Sequence, residues 1–487
     1  MTHLHRHLAT VAAGALLAGC AHSPVGPDYV APAALSPAQA ASAGPFLSAG
    51  GNAADAALPP NWWHLYEDPQ LDALVARALA HNADLRQAMA SLERDQALEA
   101  EVRGPQRPTL ALNGGPGFGH VSGLTLVQKD YEPPSRFTYG VGANLSYQLD
   151  LFGQLHRAIE AAEAGSGAAR AAVDLVRVNV AGGTARAYAE ACATGLRLRS
   201  ARESVRLQEE AVQLAQRLQQ GGRVGAIDTA RARGQLELLR ASLPPLRAQR
   251  QNALYRLATL TGAAPRDFPA QVAACDSPPR VAGPLPVGDG ASLLRRRPDV
   301  RQAERSLAAA TARIGVATAE LYPKVVLGLS ASSAGFMDRF GNRESFSYSL
   351  GPLVSWTLPT NGVARARIAQ AEAATRQAAA RFDATVLTAL REVESALESY
   401  ARELERHAAL AAARDQSAVV AAQARTLYVS GKTAQLDALD AMRTLAASEA
   451  ALAASEARLA DDQFAVFMTL GGGWEGQGRD LLAGVAP

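Results

Sequence analysis

Cysteine, methionine and lysine are all scarce in this chain, and each scarcity removes a class of function. Three cysteines, Cys20, Cys192 and Cys275, make no disulfide framework in 487 residues. Cys192 sits in a helical pattern and reads as a small buried apolar residue. Cys275 lies in a Pro-rich connector. Both are expected as free thiols, although an oxidising compartment would permit a bond. The five methionines offer no relay for copper or silver. Lysine is confined to Lys129, Lys324 and Lys432, and the net charge of +2 argues against a nucleic-acid partner. The histidines His3, His5, His7, His22, His64, His81, His120, His156 and His407 show no metal-ligand spacing. No cofactor, metal site or catalytic constellation is expected, so the chain does not read as an enzyme. Gly114-Gly115-Pro116-Gly117-Phe118-Gly119 superficially suggests a phosphate loop. No helix follows it and Pro116 interrupts it, so it reads as the start of a hairpin loop.

Proline is absent from Gln154 to Gln220 and from Gly362 to Val429. A helix over the first stretch would be about 100 Å long, which no compact domain accommodates. Small residues such as Ala369, Ala373, Ala380 and Ala384 share one face, as in a coiled coil or a helical tube. A second helical stretch, Ala226 to Leu260, is interrupted at Pro244-Pro245; its counterpart runs from about Ala434 to Thr469.

These stretches belong to a duplication. Asp84-Leu85-Arg86-Gln87-Ala88 recurs as Asp299-Val300-Arg301-Gln302-Ala303, and Pro108 as Pro323. Further on, Phe137-Thr138-Tyr139 recurs as Phe346-Ser347-Tyr348, Gly153 as Gly362, and Leu218 to Asp228 as Leu427 to Asp437. The offset falls from 215 to 209 between Pro108 and Phe137, so the first hairpin is six residues longer at its tip.

The N-terminus is a targeting segment. His3, Arg6 and His7 precede an apolar run, Leu8 to Leu17, that is too short to span a bilayer. Leu17-Ala18-Gly19-Cys20 resembles a bacterial lipobox, which implies cleavage before Cys20 and acylation of that residue. The competing reading is an ordinary secretory signal with an incidental cysteine. Residues 21 to 58 lack periodicity and read as a tether. Asp68-Pro69 then places a capping residue before proline at a helix start, and that helix is expected to continue to about Gly104-Pro105.

Strands are expected at Thr109 to Asn113, at Phe137 to Leu149, near Val325 to Ala331, and at Phe346 to Leu358. Phe137, Tyr139, Val141, Ala143, Leu145, Tyr147 and Leu149 alternate strictly with smaller or polar residues. That length suits a tilted membrane strand of about 9–11 residues; a half-buried soluble sheet alternates in the same way. Four strands cannot close a barrel, and an open edge does not occur in lipid. Membrane strands would therefore be pooled, twelve from three chains.

Trp62-Trp63, Asp68-Pro69-Gln70-Leu71, Asn82-Ala83-Asp84-Leu85, Leu149-Asp150-Leu151-Phe152-Gly153, Leu293-Leu294-Arg295-Arg296-Arg297-Pro298-Asp299-Val300 and Leu470-Gly471-Gly472-Gly473-Trp474 together carry a family likeness. The chain resembles the TolC-like outer-membrane channels of tripartite efflux pumps, in their lipoprotein (OprM/NodT-like) branch. The resemblance implies a mixed α and β membrane protein. It implies a homotrimer with a twelve-stranded barrel in the outer membrane, continued by a periplasmic helical barrel. It also implies a periplasmic adaptor and an inner-membrane RND-type transporter as partners.

On this reading residues 1–19 are the signal peptide and 20–58 the acylated tether. Residues 59–262 form the first repeat, with its hairpin at about 109–150, and 263–290 the connector. Residues 291–470 form the second repeat, with its hairpin at about 324–358, and 471–487 an equatorial tail.

The likeness also implies a periplasmic gate at Tyr428, Asp437, Asp440 and Arg443. Asp437 and Asp440 share one helix face, and Asp228 and Arg231 show the same spacing in the first repeat. In a trimer such carboxylates would ring the axis. The plainer reading of Asp228 and Asp437 is as first-turn acids favoured by the helix dipole. Gly221-Gly222-Arg223 and Ser430-Gly431-Lys432 are the expected tip turns, facing the adaptor. The function implied is an exit duct for small molecules. Ducts for protein secretion or metal cations, and a periplasmic coiled-coil scaffold, are the alternatives.

Overall fold

The computed structural model describes residues 24–32, 43–120 and 132–474. Cys20, the signal segment and most of the first hairpin tip lie outside the described residues. The chain divides into two compact units. In chain order the main elements are α1 (Pro69–His81), α2 (Ala83–Arg103), β1 (Thr109–Gly119), β2 (Arg136–Leu149), α3 (Gln154–Gln220), α4 (Ala226–Ala241) and α5 (Leu243–Leu260). They continue with α6 (Gly290–Arg296), α7 (Pro298–Ala319), β3 (Lys324–Phe336), β4 (Phe346–Ser355), α8 (Val363–Val429) and α9 (Gln435–Thr469). Helices α3 and α8 are each 67 residues long. Both of their bounds lie 209 residues apart (363 − 154 and 429 − 220).

The first unit holds the sheet, built from Leu92–Ala168 and Ala303–Phe382 with the described residues up to Pro32. Its four strands are antiparallel in the order β1-β2-β3-β4. Leu110 pairs with Leu145, Leu145 with Leu329, and Leu329 with Leu350, so one face carries a leucine row across all four strands. The opposite face carries Asn113, Gly142, Ser332 and Ser347 in one row. There Asn144 Nδ2 donates to Asn113 at 2.9 Å, and the hydroxyls of Ser332 and Ser347 lie 2.8 Å apart.

The expected hairpin loop at Gly114–Gly119 is instead the second half of β1, ending opposite Arg136. A Cβ at Gly114 would come within 3.1 Å of the Val141 side chain, so glycine suits the neighbouring strand here. β4 stops at Ser355, and the Trp356 indole donates to the Leu321 carbonyl at 3.1 Å.

A glycine with positive φ turns the chain from strand into each long helix, Gly153 (φ 73°) and Gly362 (φ 76°). The Asp150 carboxylate accepts from the amides of Leu155 (3.0 Å) and His156 (2.7 Å), capping α3. Residues 24–28 pack on this corner. The buried Arg157 donates to the carbonyls of Val25 and Gly26, to Asp28 at 2.6 Å and to Glu160 at 2.8 Å. A Cβ at Gly26 would meet the Gly315 Cα at 2.5 Å, so both glycines permit the close crossing.

The second unit comprises the described residues of Ala33–Ser91, Ala169–Gln302 and Asp383–Pro487. Its core explains the sequence motifs. Trp62 stacks on Phe467 with centroids 5.0 Å apart, and Tyr66 on Phe464 at 4.6 Å. The Trp62 indole donates to the Gly472 carbonyl, and a side chain at Gly472 would strike Leu58. Arg297 binds Asp299 through two nitrogens, and also Glu392 and the Thr469 carbonyl, each at 2.9 Å. Arg301 lies over the Trp474 ring.

Asp68 caps α1 as expected, accepting from Gln70 and Leu71. That helix does not continue to Gly104. Asn82 breaks it with an extended backbone, caps α2 by accepting from the Leu85 amide, and donates to the Leu260 carbonyl. The expectation of free thiols is overturned: Cys192 and Cys275 form a disulfide, with Cα atoms 4.7 Å apart. The connector is drawn onto α3 at Gly195, where a Cβ would lie 2.1 Å from the Cys275 carbonyl oxygen. Arg250 donates to that carbonyl and Arg199 pairs with Asp276.

Candidate functional site: the helix tips and the acidic face of α9

Helices α3 and α8 end in the same way. At the first tip the amide of Arg223 bonds back to the Leu218 carbonyl and that of Gly222 to Gln219, both at 2.9 Å. At the second, Lys432 bonds to Leu427 (2.9 Å) and Gly431 to Tyr428 (3.0 Å). Gly222 (φ 69°) and Gly431 (φ 73°) supply the left-handed residue that this Schellman geometry needs. A Cβ at Gly431 would sit 3.4 Å from Arg223 Nη2, so the two tips meet.

Asp228 and Asp437 each occupy the third position of the helix that follows. Asp228 accepts from the Gly225 amide at 3.2 Å, and Asp437 from the Thr433 hydroxyl at 2.6 Å. A carboxylate there satisfies first-turn donors and complements the helix dipole. Asp440 accepts from Arg443 at 2.7 Å. Arg231 reaches Asp228 only at 3.8 Å. Arg231, Asp437, Asp440 and Arg443 line one cavity of about 940 Å³, so charged groups of both repeats face a common space.

Tyr428 lies apart from this cavity. It lines a smaller one, about 350 Å³, with Arg217, Arg425 and Gln435. Its hydroxyl and the Gln435 carbonyl oxygen are buried without hydrogen-bond partners among the described residues. Burial, with Asp228 adding, holds the Tyr428 pKa above its ordinary value. The structure adds residues that spacing did not single out. Thr229 donates to Gln219 at 2.6 Å, and Gln208 to the Ala232 carbonyl, tying α4 to α3. Of these only Gln219 falls within the repeated stretch Leu218–Asp228; nothing in the sequence spacing points to Gln208 or Thr229.

Among the described residues no helix is long and apolar enough to cross a membrane, and no group of three or more His, Cys, Asp or Glu could hold a metal ion.

The sequence matches the family described as "Outer membrane efflux protein" over residues 74–263 and 291–472. The solvent efflux pump outer membrane protein SrpC of Pseudomonas putida is 30% identical over 471 residues, covering 94% of this chain and 96% of that protein. The cation efflux system protein CusC of Escherichia coli K12 is 28% identical, covering 94% and 97%. The solved outer-membrane channel OprN superposes with a TM-score of 0.86 at 33% identity, covering 92% of this chain and 99% of that one.

Proposed function

The chain belongs to the outer membrane efflux protein family, and we propose that it is the exit duct of a tripartite pump for small toxic organic molecules. It is an outer-membrane protein acting in efflux. In the proposed assembly three copies pool their sheets into a twelve-stranded barrel, and their long helices form a tube through the periplasm. The observation that carries this reading is the sheet. Its outer strands β1 and β4 have edges unpaired among the described residues, and it exposes the leucine row, with Leu110 62% and Leu350 70% accessible. Polar edges of this kind need partners in lipid, and the serine and asparagine row suits a wet interior.

Asp440 and Arg443, with Tyr428, Asp437, Asp228 and Arg231, form the periplasmic gate. The tip turns at Gly221–Arg223 and Ser430–Lys432 meet a periplasmic adaptor, which links the duct to an RND-type transporter. Cys20 carries the lipid anchor. Efflux of a metal cation is the second reading, supported by the likeness to CusC.

The mass of the detergent-purified protein, measured by light scattering, tests the assembly. Three chains per particle are expected. A folded monomer in detergent overturns the pooled barrel.

A further inference from the structure

A second cluster of charge lies elsewhere in the second unit. Helices α3, α5, α8 and α9 and the connector line an open cleft of about 880 Å³. Five arginines line it: Arg199, Arg202, Arg206, Arg250 and Arg414. Four carboxylates face them, from Glu203, Asp276, Glu449 and Glu456.

Much of this charge is already paired. Arg199 meets Asp276 at 2.6 Å, and Arg206 bonds Glu203 and Glu210. Glu456 lies 3.4 Å from Arg280 and 3.7 Å from His407.

Three guanidinium groups keep donors in reserve. Arg202 has no carboxylate partner among the described residues. Arg250 gives Nη2 to the Cys275 carbonyl at 2.8 Å, while its Nε is buried without an acceptor. Arg414 Nε stands 3.1 Å from Asp415 but lacks hydrogen-bond geometry, and it too is buried without an acceptor. Burial lowers the pKa of Arg250, and the like charge of Arg202 lowers it further, against the opposing charge of Asp276. On the far wall, burial raises the pKa of Glu449, with Glu203 adding; Arg414 acts against them. A buried guanidinium donor with no acceptor is costly, and two like charges facing each other add to that cost.

We infer that this cavity binds a small multivalent oxyanion, held by Arg202 and Arg250 on one helix pair and by Arg414 on the other. Guanidinium forks match the geometry of carboxylate and phosphate oxygens. The anion accepts from the guanidinium nitrogens that face the cavity, the two Nε atoms themselves being closed to it, and screens Arg202 from Arg250. The volume admits a molecule of citrate size. The ligand touches α3 and α5 through two arginines and α8 through the third, so it is a removable cross-link between the helix pairs that lead to the two tips. Occupancy therefore favours the helix spacing of the present structure over any in which the pairs separate.

Calorimetric titration of the full-length detergent-purified protein at low ionic strength tests this, with citrate and inorganic pyrophosphate as probes. We expect one site per chain, weakened about tenfold or more by Arg202→Gln or by Arg250→Gln, and unchanged by Arg402→Gln on the exposed face of α8. Arg202 is exposed and has no ion-pair partner among the described residues, so its variant keeps the fold. Tighter binding of citrate assigns a carboxylate ligand and tighter binding of pyrophosphate a phosphate; equal binding leaves a general oxyanion site. Failure of both probes to bind at millimolar concentration overturns the proposal. So does undiminished binding by the Arg202→Gln variant.

Discussion

Asp440 accepts a hydrogen bond from Arg443, one turn further along α9, with both side chains more than half exposed. An exposed pair within one helix contributes only about 0.3–0.5 kcal/mol. Asp440→Ala and Arg443→Ala should therefore leave the melting temperature of the protein nearly unchanged. If these residues also lock helices of neighbouring copies, each variant should raise single-channel conductance in planar bilayers. The double variant should add less than the two singles together, because the residues share one network. Unchanged conductance in the Asp228, Arg231, Asp440 and Arg443 quadruple alanine variant, still correctly inserted, would remove them as the gate.

The Cys192–Cys275 bond closes a long loop, with a sequence separation of 83 residues. Cys275→Ser should lower stability by about 2–4 kcal/mol through the unfolded state. Thermal unfolding with and without a reductant checks this. The wild type should melt lower when reduced, and the variant should not respond.

Arg157 anchors residues 24–28 to α3 while almost wholly buried itself. Arg157→Met should release that segment and leave the sheet intact. Hydrogen exchange at residues 24–30 should then accelerate by one to two decades, for a loss of about 1–3 kcal/mol of local protection. Unaltered exchange there would mean that the close packing of Gly26 on Gly315 holds the segment alone.

Asp462 has its pKa raised to about 6, chiefly by burial, with Asp461 and Glu403 adding and Arg458 and Arg186 opposing. The folded state thus holds a proton more tightly than the unfolded one, and stability falls as pH rises from about 4 to about 6. Asp462 is only half buried, so screening reduces the effect to on the order of 1 kcal/mol. Asp462→Asn should stabilise the protein by that amount at pH 7.5 and by almost nothing at pH 4. Denaturant melts at the two pH values measure the difference. An equal effect at both would place the cause outside this titration.

Periodicity and proline made the long elements legible. The bounds of α3 follow from a proline-free stretch and a glycine at either end, and β2 from strict alternation. Local chemistry that depends on a distant partner was not legible. Asn82 reads as one more polar helical residue until its amide finds the Leu260 carbonyl. Gly114 to Gly119 read as the start of a loop because Pro116 interrupts them and no helix follows, yet the facing β2 supplies the ladder. Cys192 and Cys275 give no sequence cue to their pairing, because Gly195 and Arg250 bring the connector to the helix in three dimensions. At the tips, the family likeness points to the carboxylates and their spacing puts them on one helix face, whereas the cavity that gathers Arg231 with Asp440 depends on how α4 and α9 pack.

The paired tip turns have a consequence for recognition. Each folds its last helical carbonyls back onto its own amides, at Leu218 and Gln219 in one and at Leu427 and Tyr428 in the other. Those backbone groups are therefore already engaged, so a protein docking on the tips, as proposed, would read mainly contour and side-chain charge. Arg223 and Lys432 are the cations offered at the two turns. Exchanging these two residues should alter partner choice while leaving the backbone scaffold that presents them untouched.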